Sequence, residues 1–328
     1  MEQNHIVGLM LGITTKDSVI FSGGFGYADI ENKREVDGST LFRMGSITKM
    51  FVSLGIIKLI EQGKISLDDR LKAVAPEVPF QNKWESSDPL KVIHLLEHTS
   101  GFDDIKLNRM YSLDSVDNKG IDMVLVQQPS MVTRWKPGER TAYSNPNYAI
   151  LGYILQKLSG KPYDQYLKDT ILEPLGMNQS NFNTRSKYPD RDVKEYTFKN
   201  GRRTRVPSST LLSGAYGALW SSADDMTKFI QLFLRDGQPL FSENFIAAFE
   251  TPRSSLAARA GLKIPYALGN YSRFLVKKFP FRGHDGILGA CYSSCFYNRE
   301  MNVGFVISSN SDHIHTEIEE HVIAFIEQ

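Results

Sequence analysis

The stretch Ser46-Ile47-Thr48-Lys49-Met50-Phe51-Val52-Ser53-Leu54-Gly55-Ile56-Ile57-Lys58-Leu59-Ile60-Glu61-Gln62-Gly63 decides how the rest of the chain is read. Apolar residues recur at Ile47, Met50, Phe51, Leu54 and Ile57, the 3.6-residue period of an amphipathic helix. Gly63 suits the position just past its end. The expected helix, from about 46 to 62, carries Ser46 at its start and Lys49 one turn on. A serine hydroxyl is a poor nucleophile until a base takes its proton. Residues i and i+3 face each other on a helix, so Lys49 reaches Ser46, and the helix N-terminus favours developing negative charge. Taken alone, the pair also reads as a capping serine and a snorkelling lysine, because Ser-x-x-Lys recurs by chance in chains of this length.

Outward from this helix the chain changes character in a definite order. Before it, Ile6 to Thr14 and Ser18 to Tyr27 alternate like strands across the break Thr14-Thr15-Lys16-Asp17, a hairpin, with Gly23, Gly24 and Gly26 marking bulges or close approach. After it the chain is mostly helical. Asn145-Pro146 opens a helix and Gly160 closes it, with Ala149, Ile150, Ile154, Leu155 and Leu158 on its apolar face. Another helix follows Ser222 and runs through Met226, Phe229, Ile230 and Phe233 to Gly237; Ser222 with Asp225 resembles a capping box. Strands return at Tyr271 to Phe281, Leu288 to Tyr297 and Asn302 to Ser309, and a helix from about Thr316 to Ile326 ends the pattern. The order predicts an α/β fold: a sheet domain built from residues 1–72 and 264–328, with a mostly helical domain, 73–263, inserted between.

The chain has 328 residues, 41% of them apolar, with 38 Lys and Arg against 37 Asp and Glu and a net charge of +1. That composition supports a large core and excludes a disordered chain, a collagen or a coiled coil. The charge balance gives no electrostatic case for nucleic acid or an anionic membrane surface as partner. The two cysteines, Cys291 and Cys295, sit four apart in an expected strand, roughly 13 Å from each other and beyond disulfide reach. They read as free, core-facing thiols. No apolar run approaches the roughly 18 residues of a membrane-spanning helix. The run from Ile6 to Ile13 has no Lys or Arg before it, so no export signal is expected. The sequence as it stands reads as cytoplasmic, and as extracytoplasmic if a leader has been trimmed.

Two further pieces carry chemistry. Tyr143-Ser144-Asn145 immediately precedes Pro146. A tyrosine beside Lys49 would have its pKa lowered from about 10 and serve as a base, and Asn145 can cap the helix or donate to a substrate amide. His284-Asp285-Gly286 lies at the end of one expected strand and before the next. Gly286 allows a substrate backbone to approach, and the backbone N–H groups of Ile287 and Ser46 would form an oxyanion hole.

In this order and spacing, the three pieces resemble the active-site serine penicillin-recognising enzymes, in the branch of class C β-lactamases, D-alanyl-D-alanine carboxypeptidases, D-aminopeptidases and related esterases. That family carries Ser-x-x-Lys, Tyr-x-Asn and Lys-Thr-Gly or His-x-Gly. Leu95-Leu96-Glu97-His98-Thr99-Ser100-Gly101, Trp135-Lys136-Pro137-Gly138, Glu173-Pro174-Leu175-Gly176-Met177 and Gly217-Ala218-Leu219-Trp220-Ser221 resemble it as well, so the likeness runs from about Gly23 to Phe305. The resemblance implies a β-lactamase/penicillin-binding-protein-like fold, an antiparallel sheet flanked by helices, with the active site in the groove beside the helical domain. It implies Ser46 as nucleophile of an acyl-enzyme, Lys49 and Tyr143 sharing the proton transfers, and Asn145, His284 and Gly286 binding substrate. Which of Lys49 and Tyr143 is the resting base stays open. It also implies no cofactor or metal, a small-molecule or peptide substrate, and β-lactams as covalent ligands.

Departures from the family pattern shift the expected activity. His284 stands where class C β-lactamases have Lys, which favours a D-peptidase or esterase over a β-lactamase, with a non-turnover penicillin sensor as a further alternative. An imidazole that titrates near pH 6.5 would attract an anionic group only below that pH. Asp285, if it faces the groove, would repel a substrate carboxylate. The family's usual helix before the first strand has no counterpart ahead of Ile6. His94-Leu95-Leu96-Glu97-His98 matches the inverted zinc-protease pattern, but the family's His-Thr-Ser-Gly turn already accounts for it. His313 and His315 read as solvent-exposed. No Gly-x-Ser-x-Gly elbow occurs. Gly63-Lys64 and Gly160-Lys161 lack the earlier Gly of a phosphate loop, and Gly24-x-Gly26 lacks its third Gly. The basic stretch from Thr184 to Pro207 reads as a solvated loop.

Overall fold

The computed structural model describes residues 5–114, 116, 118–207, 209–242, 244–274, 280–312 and 316–326. His313 and His315 lie outside them. The hairpin expected at the start is β1 (Gly8–Thr14) and β2 (Val19–Asp29), followed by the two-residue β3 (Arg34–Glu35). The late strands are β4 (Tyr271–Arg273), β5 (Phe281–Leu288), β6 (Cys291–Asn298) and β7 (Val303–Ser309). All seven form one antiparallel sheet in the order β4-β5-β6-β7-β1-β2-β3, so the two ends of the chain meet at the β7–β1 pair.

The period-2 alternation of these strands sorts side chains to two cores. Leu9, Ile13, Phe296, Phe305 and Ile307 face α4 (Thr316–Ile326), which covers them with Val322 and Ile323. Met10, Cys295, Tyr297 and Val306 face the larger core, where α1 (Thr48–Glu61), α2 (Asn145–Ser159) and α3 (Ala223–Leu234) pack. Phe229 of α3 stacks on Phe51 of α1 at 3.9 Å, and Phe233 on Tyr297 of β6 at 4.7 Å. Both thiols are free and buried on this face of β6. Helix α3 lies on β1, β2, β6 and β7, so this portion of the 73–263 stretch belongs to the sheet layers.

Local sequence sets the helix ends. Gly160 closes α2 in the left-handed region at φ +73°, and the Ser222 side chain accepts the Asp225 N–H to start α3. Two expectations need correction. Helix α1 is buried nearly all round rather than along one stripe, because α2 and the turn at 214–216 cover its other faces. Its polar groups are satisfied internally: Thr48 Oγ1 donates to Gly45 O, and Ser53 pairs with Tyr148 at 3.2 Å. Of the strand expected over 271–281, Tyr271–Arg273 forms β4 and Phe281 opens β5, while 275–279 lie outside the described residues; His284-Asp285-Gly286 sits within β5, its residues opposite Cys295, Ser294 and Ser293 of β6. Pairing with β6 continues the strand through a motif that reads as a loop.

Candidate active site

Ser46 occupies a 3₁₀ turn, Gly45–Ile47, that leads into α1. Strand β5 packs directly on this turn. A Cβ on Gly286 would lie 2.0 Å from Met44 O, and one on Gly45 (φ +51°) 2.7 Å from the Ile287 nitrogen. Glycine at both positions lets the backbone of Ser46 and that of Ile287 meet, so the two expected oxyanion donors are side by side.

The Ser46 hydroxyl is held from two sides. Lys49 Nζ donates to it at 2.9 Å and also to Tyr216 O at 2.9 Å; Tyr143 donates to it at 2.8 Å. Lys49 is fully buried among the rings of Tyr143, Tyr148 and Tyr216, its Nζ 4.8 Å from the Tyr143 centroid. Burial without a neutralising partner lowers its pKa to about 7, with the Asp104 carboxylate acting in the opposite sense. Tyr143 moves the other way. The residue is 38% exposed, but its hydroxyl is bonded to Ser46, and desolvation raises its pKa well above 10 despite that bond. The expected lowering of Tyr143 is therefore reversed: the phenol keeps its proton and the amine readily loses one.

Tyr143 is fixed by the segment 96–104. Ala142 N donates to His98 O at 2.8 Å, Ser144 N to His98 Nδ1 at 3.2 Å, and Ser144 Oγ to Asp103 O at 3.0 Å. Asn145 opens α2 with its backbone N–H and its Nδ2 both donating to Asp104 Oδ1, at 2.8 and 2.9 Å. The amide expected to bind substrate is thus engaged with Asp104. Sequence reading missed both His98 and Asp104, because neither has a local signal linking it to residues some 40 positions away.

His284 is 3% exposed. Its Nδ1 lies 2.5 Å from Asp285 O and its Nε2 3.1 Å from the Tyr266 hydroxyl, so Nδ1 carries the proton and Nε2 accepts. Burial, then the charge of Lys49, lowers its pKa to about 4. A charge switch near pH 6.5 is accordingly corrected: the imidazole is neutral well below that. Asp285 lines the groove, but its carboxylate is engaged rather than free. It accepts from Ser294 Oγ at 2.7 Å, from Tyr271 and from Arg273 at 3.2 Å, and Arg273 continues to Glu319 of α4 at 2.9 Å. Arg273 thus shares its charge between Asp285 and Glu319.

Ser46, Tyr143, His284, Asp285 and Ile287 line one cavity of about 450 Å³ with Pro265, Tyr266 and Tyr271. Lys49, Asn145 and Gly286 are not among the residues that line it. The zinc-like pattern is pulled apart: His98 Nδ1 takes the Ser144 amide, Glu97 accepts the Arg253 and Ser254 amides, and His94 Nδ1 accepts the Lys91 amide. Among the described residues no three His, Cys, Asp or Glu side chains are placed to hold a metal ion. No described helix is long and apolar enough to cross a membrane.

The family profile described as Beta-lactamase matches residues 1–324. Protein flp of Staphylococcus aureus (strain MW2) is 27% identical over 340 residues, covering 98% of this chain and 65% of its own length. The putative penicillin-binding protein PbpX of Bacillus subtilis (strain 168) is 31% identical over 267 residues, covering 79% of this chain and 62% of its own. The chain thus spans somewhat under two thirds of the length of these curated relatives. The octameric penicillin-binding protein homologue from Pyrococcus abyssi superposes with a TM-score of 0.83 at 28% identity, over 99% of this chain and 74% of that one. The beta-lactamase/D-alanine carboxypeptidase from Yersinia pestis gives 0.78 at 22% identity, over 100% and 95%, a likeness of fold.

Proposed function

Because the chain belongs to the beta-lactamase family, a family of serine hydrolases, we propose that it hydrolyses a D-amino-acid peptide or an ester through an acyl-enzyme on Ser46. The observation that carries this reading is the Ser46 hydroxyl held between the buried Lys49 amine at 2.9 Å and the Tyr143 phenol at 2.8 Å. Lys49 is the resting base: with a pKa of about 7, much of it is neutral at physiological pH. Its amine takes the Ser46 proton as Oγ attacks the substrate carbonyl carbon. The carbonyl oxygen becomes an oxyanion held by the N–H groups of Ser46 and Ile287. Tyr143 gives its proton to the departing amine or alcohol as the bond to carbon breaks, and the Lys49 ammonium restores the phenol. Water then repeats the sequence on the acyl-enzyme and frees Ser46.

The site sits where β5 meets the 3₁₀ turn and the 96–104 and 142–145 segments, the groove beside the helical part of the chain. The cavity wall of Tyr143, Pro265, Tyr266, Tyr271 and Ile287 is apolar and aromatic, which suits an uncharged acyl group. A neutral His284 in place of a third-motif lysine weighs against a β-lactamase, whose substrates carry a carboxylate. β-Lactams remain covalent ligands on this reading, in keeping with the name of the Bacillus subtilis relative.

Turnover of a p-nitrophenyl ester, a D-alanine amide and a chromogenic cephalosporin tests it. The ester or amide is expected to be hydrolysed by wild type and not by Ser46→Ala. Cephalosporin turnover far exceeding both would reassign the chain as a β-lactamase.

A further inference from the structure

We propose that His98 is a positioning residue that sets the Tyr143 hydroxyl on Ser46, a role that rests on the reading of Tyr143 as proton donor. His98 grips the chain on both sides of Tyr143. Its carbonyl accepts the Ala142 N–H at 2.8 Å, and its Nδ1 accepts the Ser144 N–H at 3.2 Å. The same Nδ1 takes Asn147 Nδ2 at 3.1 Å, one turn into α2. Its ring lies against that of Tyr143 with centroids 4.3 Å apart and also touches Tyr148 and Tyr266, at 5.2 and 4.8 Å. One residue therefore fixes the backbone before Tyr143, the backbone after it, and the tilt of its ring.

The local backbone serves this arrangement. His98 adopts φ +55°, an uncommon conformation for a residue with a side chain, which turns carbonyl and ring toward the same neighbour. The side chain must offer an acceptor at the Nδ1 position and a flat ring that fills the space among three tyrosines. Two N–H groups converge on Nδ1, so that nitrogen is unprotonated and the proton sits on Nε2, a fully buried atom with no hydrogen-bond partner among the described residues. An unpaired buried N–H is a cost to the fold, and it is borne at the one residue that holds Tyr143.

The test compares Tyr143→Phe, His98→Leu and His98→Asn on two substrates sharing one acyl group. The p-nitrophenyl ester leaves as a stable anion and needs no proton; the alkyl ester or amide needs one. Tyr143→Phe is expected to lose about 10²-fold or more on the second substrate and much less on the first. His98→Leu should reproduce that selective loss, about 10²-fold in kcat with KM little changed, because a misplacement of about 1 Å is enough. His98→Asn keeps a short acceptor and tolerates positive φ but lacks the ring, so it should recover part of the loss, the part owed to the hold on Ser144. If His98→Leu does not fold, His98→Gln, whose amide overshoots Nδ1, takes its place with the same expectation. Equal loss on both substrates, no loss, or failure of Asn to recover more than Leu or Gln overturns the proposal while Tyr143→Phe stays selective. A Tyr143→Phe enzyme with no leaving-group preference overturns the proton-donor reading itself, and the role of His98 with it.

Discussion

The pH dependence of acylation follows from the burial of Lys49. In water a lysine with its ordinary pKa near 10.4 is neutral in roughly three to four molecules per ten thousand at pH 7. Held at about 7 by desolvation, the Lys49 amine is about half neutral there, a gain of roughly a thousandfold in competent base. The value of kcat/KM reports the free enzyme. It should rise about tenfold per pH unit below pH 7 and level off above it. Asp104 is the group whose charge works against this lowering, so Asp104→Asn should move the inflection to lower pH. The assay is hydrolysis of a p-nitrophenyl ester from about pH 5 to 9, with Ser46→Ala subtracted for spontaneous reaction. A profile that keeps rising toward pH 10 would refute the reasoning, because it would report an unperturbed lysine or a tyrosinate. A profile whose inflection disappears in His284→Gln would refute it too, by making the imidazole the titrating base.

Lys49→Met should abolish turnover yet stabilise the fold at about pH 6. The charge penalty removed is up to about 5 kcal/mol at 1.36 kcal/mol per pKa unit, offset by about 1–2 kcal/mol for the Tyr216 carbonyl left without a donor. Since the folded pKa lies below the unfolded one, the unfolded chain binds the extra proton between about pH 7 and 10.4; wild-type stability from this group rises across that window and the advantage of Met fades. Denaturant melts at both ends of the window check the sign. Gly286→Ala drives a methyl into Met44 O at 2.0 Å, where both partners are backbone, so a loss of about 1–3 kcal/mol and a collapse of kcat are expected together. His284 should show the nitrogen shifts of a neutral imidazole by NMR at about pH 5.5, well above its pKa of about 4; a half-charged ring there would contradict its burial.

Much of this was legible in the sequence because it is local. Asn145-Pro146 and Gly160 bound α2, Ser222 caps α3, and Ser46 and Lys49 meet because three residues on a helix must. Motif order placed Tyr143, Gly286 and Ile287 at the same serine. What escaped was set by burial and by long-range packing. The all-round burial of α1 depends on elements a hundred residues away, and it lowers the pKa of Lys49, a shift that sequence, which left the resting base open between Lys49 and Tyr143, does not show. The neutrality of His284 depends on its burial and then on Lys49. The hold of His98 and Asp104 on 142–147 joins segments whose sequences carry no mark of each other. The continuation of β5 through His284-Asp285-Gly286 comes from pairing with β6 rather than from composition.

The central claim is that Ser46 is the atom that becomes acylated. Intact-mass measurement after brief mixing with benzylpenicillin, and separately with a p-nitrophenyl ester quenched in acid during turnover, tests it beside Ser46→Ala. An added acyl mass on the wild type, absent from Ser46→Ala, is the predicted result. The same mass on Ser46→Ala, or ester turnover undiminished in that variant, would contradict it.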